Sequence, residues 1–231
     1  MGPALARLLA ASGHSLVLHA AKPELVDELT AGGTEVALVE RVDLSSAEGN
    51  QTLVQTALDR FGRLDAACFV TGQIVLGPFL EAPAEDWERV KRSNLDEVFH
   101  ALRAALPPMI EAGADQIVVF TSATGARPEP RVSLYSSTRA GANALVRAVG
   151  LEHARDGVTV NAIGTNYLDF SGFIKASGAD DPERRAKIEA QVPLRRLGTL
   201  EELAEFAAVL LDGRSRFQTG QFFSFSGGWS P

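Results

Sequence analysis

Short apolar runs alternate along this chain with longer stretches of helical period. The runs Ser15–His19 ("SLVLH"), Glu35–Val39 ("EVALV"), Ala66–Val70 ("AACFV"), Gln116–Thr121 ("QIVVFT"), Val158–Ile163 ("VTVNAI") and Gln221–Phe225 ("QFFSF") read as strands. Between them, Leu5, Leu8 and Leu9 make one apolar helix face, and Leu53, Val54, Ala57 and Leu58 make another behind the cap-like pair Ser45–Ser46. A further helix is predicted from about Glu85, ending near Pro107–Pro108, because proline removes a backbone donor and disfavours a helical residue before it.

Strand and helix patterns in alternation imply βαβ units. Strands without polar alternation are covered on both faces, so the expected fold is α/β, a Rossmann-like doubly wound parallel sheet forming a single domain over residues 1–231. Such sheets place ligands at the carboxyl ends of their strands. Ser122 follows one predicted strand directly and Asn166 follows another closely, so both are expected at that edge. The same architecture opens with a strand and a glycine-rich turn that receives a pyrophosphate. Here helical period starts at once after Met1–Gly2, so the first strand and most of that turn are missing from this sequence, and a start upstream of Met1 is expected. A place left open in mid-sheet strands backbone groups without partners. At the next strand end, His19–Ala20–Ala21 offers neither an acid for a ribose nor an arginine for its phosphate. Together the two gaps predict a pocket without a nucleotide.

Composition narrows the partners. A net charge of −7 without long single-sign runs excludes the basic patches that nucleic acid and anionic membranes require. No apolar run approaches the roughly 20 residues that span a bilayer. The apolar start is interrupted by Arg7 with no positive charge before it, which does not match a secretory leader, and the one cysteine, Cys68, lies in an apolar run. A cytoplasmic chain with a buried, inert thiol is therefore expected. His14, His19, His100 and His153 show no ligand pairing, so no metal is expected.

The segment "FTSATGARPEPRVSLYSSTRAG" carries the candidate chemistry. Tyr135 and Arg139 are four residues apart and share a helix face; Ser122 lies thirteen residues before Tyr135, across a loop with Pro128 and Pro130. With "ALARLLAASGHSLVL", "DLSS", "GRLDAACFVTG", Asn94 in "RSNLDEVF", "GVTVNAIG" and "TGQFFSFSGG", this segment makes the chain resemble the short-chain dehydrogenase/reductase superfamily from Gly2 onward. "TSAT", "YSSTRAGA", "AIGTNYL", "RRLGT" and "GQFFSFSGGW" resemble its halohydrin dehalogenase branch, which has arginine in place of lysine and no nicotinamide.

That resemblance implies a cofactor-independent carbon–halide lyase that closes vicinal halohydrins to epoxides and, in reverse, opens epoxides with azide, cyanide or nitrite. Tyr135 would be the base, Arg139 its activator and Ser122 the group orienting the substrate oxygen. An isolated tyrosine ionises only near about pH 10, and a fixed positive charge favours the phenolate. Thr165, Asn166, Tyr167 and Leu168 are the expected halide site, with the amides of Tyr167 and Leu168 as donors. Thr124, Val132, Phe170 and Phe173 are the expected substrate pocket, and Tyr167 and Phe170 would fill a nicotinamide's space. Asp43 and Asn94 stand where the cofactor-using branch has an adenine contact and a proton-relay residue, or are a loop aspartate and a backbone-bonding asparagine. The alternative is an NAD(P)-dependent short-chain alcohol dehydrogenase or ketoreductase. A homotetramer, pairing helices at about 84–106 and 136–155, also follows from the resemblance alone.

Overall fold

Each of the six apolar runs forms a strand in the computed structural model of the protein, which describes residues 1–113 and 115–231. The strands are β1 (Leu16–His19), β2 (Val36–Val39), β3 (Ala66–Val70), β4 (Gln116–Ser122), β5 (Thr159–Thr165) and β6 (Phe222–Phe225). The helices are α1 (Gly2–Ala11), α2 (Pro23–Ala31), α3 (Ala47–Phe61), α4 (Ala84–Lys91), α5 (Glu97–Ala112), α6 (Ser133–Glu152), α7 (Ser171–Ser177), α8 (Pro182–Glu189) and α9 (Leu200–Val209).

Alternation along β4 shows how the layers are built. Ile117 and Val119 pack on Val98, Leu102, Met109 and Val146 from α5 and α6, whereas Val118 and Phe120 pack on Leu5, Leu203 and Ala207 from α1 and α9. All seven residues of β4 are buried, so both faces of the strand are covered by helices. Each fully buried valine or isoleucine contributes about 1.5–3 kcal/mol, which makes this strand the centre of the core.

Backbone pairing divides the strands into two parallel ladders, β1–β2 and β3–β4–β5–β6. Among the described residues β1 and β3 are each hydrogen-bonded along one edge only. β3 is accordingly only half-buried, and Val70 at its carboxyl end is 41% exposed although its sequence is as apolar as that of β4. Side chains join the ladders: Leu5 of α1 packs with Val118 and Phe120, and its neighbour Ala6 packs with Leu16 and Leu25.

One helix departs from expectation. The predicted helix from Glu85 to the proline pair is instead α4, a wide turn at Arg92–Asp96, and α5, which runs through Pro107 and Pro108 to Ala112. An interior proline costs about 3 kcal/mol. Ala105, Leu106 and Met109, buried against the core on either side of the pair, offset that loss. Gly113, with φ of +79°, ends the helix by donating its N–H to the Met109 carbonyl.

Candidate functional site

Ser122 is the last residue of β4 and pairs in register with Thr165, the last of β5. Its hydroxyl is 2.9 Å from Thr124 Oγ1, accepts the Thr124 N–H at 3.2 Å and reaches the Thr165 carbonyl at 3.4 Å. The turn that follows lies tightly against α6, since a Cβ on Gly125 would fall 2.8 Å from Ala140 N. That contact brings Tyr135 and Arg139 to the carboxyl ends of the strands. Val132, just ahead of α6, is buried and accepts the Ser136 N–H through its carbonyl.

Arg139 is buried, with its Nη2 donating to the Thr71 carbonyl at 2.5 Å and its Cζ 5.4 Å from the centroid of the Tyr135 ring. A guanidinium over an aromatic face is attracted by the ring's quadrupole. Nη1 lies 3.5 Å from the Phe120 carbonyl, and Nε has no partner. The arrangement depends on Gly72, whose φ is +118° and where a Cβ would lie 1.7 Å from Arg139 Nη2. Tyr135 is half-buried, and among the described residues its hydroxyl has no hydrogen-bond partner. Ser122 and Tyr135 thus reach the same strand edge without bonding to each other.

Asn94, fully buried in the wide turn, accepts the Gln73 N–H at 3.0 Å and donates to the Gln73 carbonyl at 2.9 Å and to Thr138 Oγ1 at 3.2 Å. It is a backbone-bonding asparagine. Asp43 is exposed, and its carboxylate holds the N–H and hydroxyl of Ser45, which lowers its pKa. Among the described residues no group of three or more His, Cys, Asp or Glu is placed to hold a metal, and no helix is long and apolar enough to cross a membrane.

The 165–170 loop is arranged differently from the expected halide site. The Asn166 N–H donates to the Phe225 carbonyl at 3.3 Å, and the Tyr167 N–H, one of the two expected donors, donates to Asn166 Oδ1 at 2.9 Å. Tyr167 has φ of +56°, and its buried ring packs edge-on against Phe173 and Trp229, with its hydroxyl donating to Gln191. Burial raises its pKa, with Glu129 adding to the rise and Arg127 opposing it. Leu168 is buried under α9, and Phe170, 38% exposed, precedes α7. A cavity of about 250 Å³ under this loop, lined by Asn166, Tyr167, Leu168, Val192, Ser224 and Phe225 among others, includes none of Ser122, Tyr135 and Arg139. Thr124 is therefore the predicted pocket residue in direct contact with Ser122. The contact of Arg139 with the Thr71 carbonyl past Gly72 is missed by sequence reasoning, although both residues stand in the quoted "GRLDAACFVTG".

A family model described as enoyl-(acyl carrier protein) reductase matches residues 1–230. D-beta-hydroxybutyrate dehydrogenase of Rhizobium meliloti (strain 1021) is 30% identical over 244 residues, covering 100% of this chain and 94% of that protein. The 3-oxoacyl-[acyl-carrier-protein] reductase of Synechocystis is 30% identical over 234 residues, covering 99% of this chain and 92% of that protein. The crystal structure of an Agrobacterium tumefaciens protein assigned as a gluconate dehydrogenase superposes with a TM-score of 0.88 at 29% identity, covering 99% of this chain and 90% of that one. These relatives are named dehydrogenases and reductases, which overturns the expected carbon–halide lyase. Halohydrin closure, epoxide opening by azide, cyanide or nitrite, and the cofactor-independent pocket are withdrawn with it.

Proposed function

The chain belongs to the short-chain dehydrogenase/reductase superfamily, and from that premise we propose that it is an NAD(P)-dependent oxidoreductase interconverting a hydroxyl and a carbonyl on a small hydroxy or oxo acid. The observation that carries this reading is the unbonded Tyr135 hydroxyl with the Arg139 guanidinium over its ring, at the strand edge that Ser122 closes. The substrates in the relatives' names, hydroxybutyrate, 3-oxoacyl groups and gluconate, share a hydroxyl or oxo group on an acid skeleton, which supports the substrate class.

Two buried polar atoms, Arg139 Nε and Thr71 Oγ1, lack partners among the described residues, while the space beside Gly72 is filled by Arg139 and Asn94. Ribose hydroxyls donate and accept, so a donor and a hydroxyl together suit them. Arg139 and Thr71 would hold the nicotinamide ribose of the cofactor, which supplies or accepts a hydride when bound. The chain's own residues handle the proton. Tyr135 gives a proton to the substrate oxygen as a hydroxyl forms and takes it back as a carbonyl forms. Ser122, oriented by Thr124 and Thr165, donates a second hydrogen bond to that oxygen. The permanent charge of Arg139 lies against the ring of Tyr135, 5.4 Å from its centroid.

Following NAD(P)H absorbance with 3-oxo acids and their thioesters, and NAD(P)⁺ reduction with 3-hydroxy acids, tests the reading. Turnover is expected, and Tyr135→Phe should lower kcat by about 10²–10⁴-fold. Absence of nicotinamide-dependent turnover across the panel, with no cofactor binding by calorimetry, would overturn it.

A further inference from the structure

The carboxyl ends of β1 and β2 finish side by side, with His19 in register with Val39 and the Ala20 N–H donating to the Val39 carbonyl at 3.0 Å. In a dinucleotide fold the adenosine ribose is read at this strand end. A carboxylate meets a free 2′-hydroxyl there, and an arginine meets a 2′-phosphate. Along β1 and the turn after it, His19–Ala20–Ala21–Lys22 contains no acid. Sequence reading, which follows one strand, finds no arginine either; the pairing of β1 with β2 brings one in. The half-buried His19 ring accepts the Val42 N–H at Nε2, 3.1 Å away, and that nitrogen is joined covalently to Arg41. The backbone of Arg41 therefore lies beside the His19 ring.

Both side chains are donors. Burial lowers the pKa of the ring, with the Val42 bond opposing and Arg41 adding to the fall, so the ring is neutral at neutral pH. With Nε2 engaged as an acceptor, its one proton sits on Nδ1, which donates. Arg41 is exposed, and among the described residues its guanidinium makes no hydrogen bond or ion pair. Ala20 and Ala21 add only methyl groups to this edge. A ribose diol donates as well as accepts and is best met by a carboxylate, whereas a phosphate dianion only accepts and is best met by a guanidinium. Donors with an uncommitted positive charge match the phosphate.

We propose that Arg41 and His19 form a site for the 2′-phosphate of the adenosine ribose, so that the chain takes NADP(H) in preference to NAD(H). Arg41 supplies a fixed charge and a fork of donors, and His19 one further N–H. The proposal rests on the oxidoreductase reading for its cofactor, and its test separates the two.

Calorimetric titration with NADP⁺, NAD⁺ and adenosine 2′,5′-bisphosphate, which carries the phosphate without nicotinamide, reads the site without turnover. NADP⁺ is expected to bind at least about tenfold more tightly than NAD⁺, a gap that narrows as salt rises. Arg41→Ala should weaken NADP⁺ and the bisphosphate by about ten- to hundredfold and close the gap to NAD⁺. Arg41→Lys, which keeps the charge without the fork, should recover part of the loss. NAD⁺ bound as tightly as NADP⁺, or an Arg41→Ala chain that keeps the preference, overturns the proposal and leaves the oxidoreductase reading standing. Bisphosphate bound, and weakened by Arg41→Ala, in a chain without nicotinamide-dependent turnover supports the phosphate site and refutes that reading instead. Binding of none of the three overturns both.

Discussion

Gly72 is the residue on which the site's geometry depends most directly. Its positive φ and its lack of a Cβ together admit Arg139 to the Thr71 carbonyl. Gly72→Ala is expected to cost about 1–3 kcal/mol in backbone strain and, by displacing the guanidinium, to lower kcat/KM at least about tenfold. Thermal unfolding and steady-state kinetics on one preparation check this; unchanged kinetics would show that Arg139 works without that contact. The Tyr135–Arg139 pairing was legible in the sequence, since four-residue spacing on a helix imposes it. The Thr71 contact was not, because it joins residues 68 apart and only the fold brings them together. The contact of Tyr167 with Trp229 was not legible either, as it depends on a left-handed backbone and a residue 62 positions away.

At the level of elements, α9 shows how local sequence sets a boundary. Thr199 accepts the Glu202 N–H and Glu202 accepts the Thr199 N–H, a reciprocal cap on the helix that covers β4 and β5 from one side. Thr199→Ala should lower stability by about 1 kcal/mol, read as a fall in Tm. The hydrogen bond from Arg196, followed by that from the Thr199 N–H, holds the Glu202 carboxyl down at about 2. A folded-state value below the ordinary 4.5 means that this contribution is present above about pH 4.5 and is lost as the pH falls towards 2. The Glu202 side chain is 40% exposed, so the effect is below about 1 kcal/mol. Glu202→Gln should thus lower Tm at neutral pH and match the unaltered chain near pH 2; an equal deficit at both would deny the carboxylate its role. The proline pair in α5 marks the limit of such local rules, because burial against the core outweighs the lost backbone bonds there.

At the scale of the whole molecule, the strands, their parallel sense and the two helical layers were legible because apolar runs and helical period are local patterns. Among the described residues the strands fall into two ladders, β1–β2 and β3–β4–β5–β6. Amides of β1, β2 and β3 should exchange with deuterium faster than those of β4 and β5, whose neighbours protect them on both edges and both faces. Uniform protection across both ladders would contradict the division. The division also gives α1 a task unlike that of the other helices. Leu5 is held by one ladder and Ala6, its immediate neighbour, by the other, so the helix acts as a rivet through two plates. A bulkier side chain at Ala6 would become a wedge: with Leu5 clamped, the added volume would prise one plate from the other, and a methyl group's worth of space at a single position would be felt as movement of an entire pair of strands.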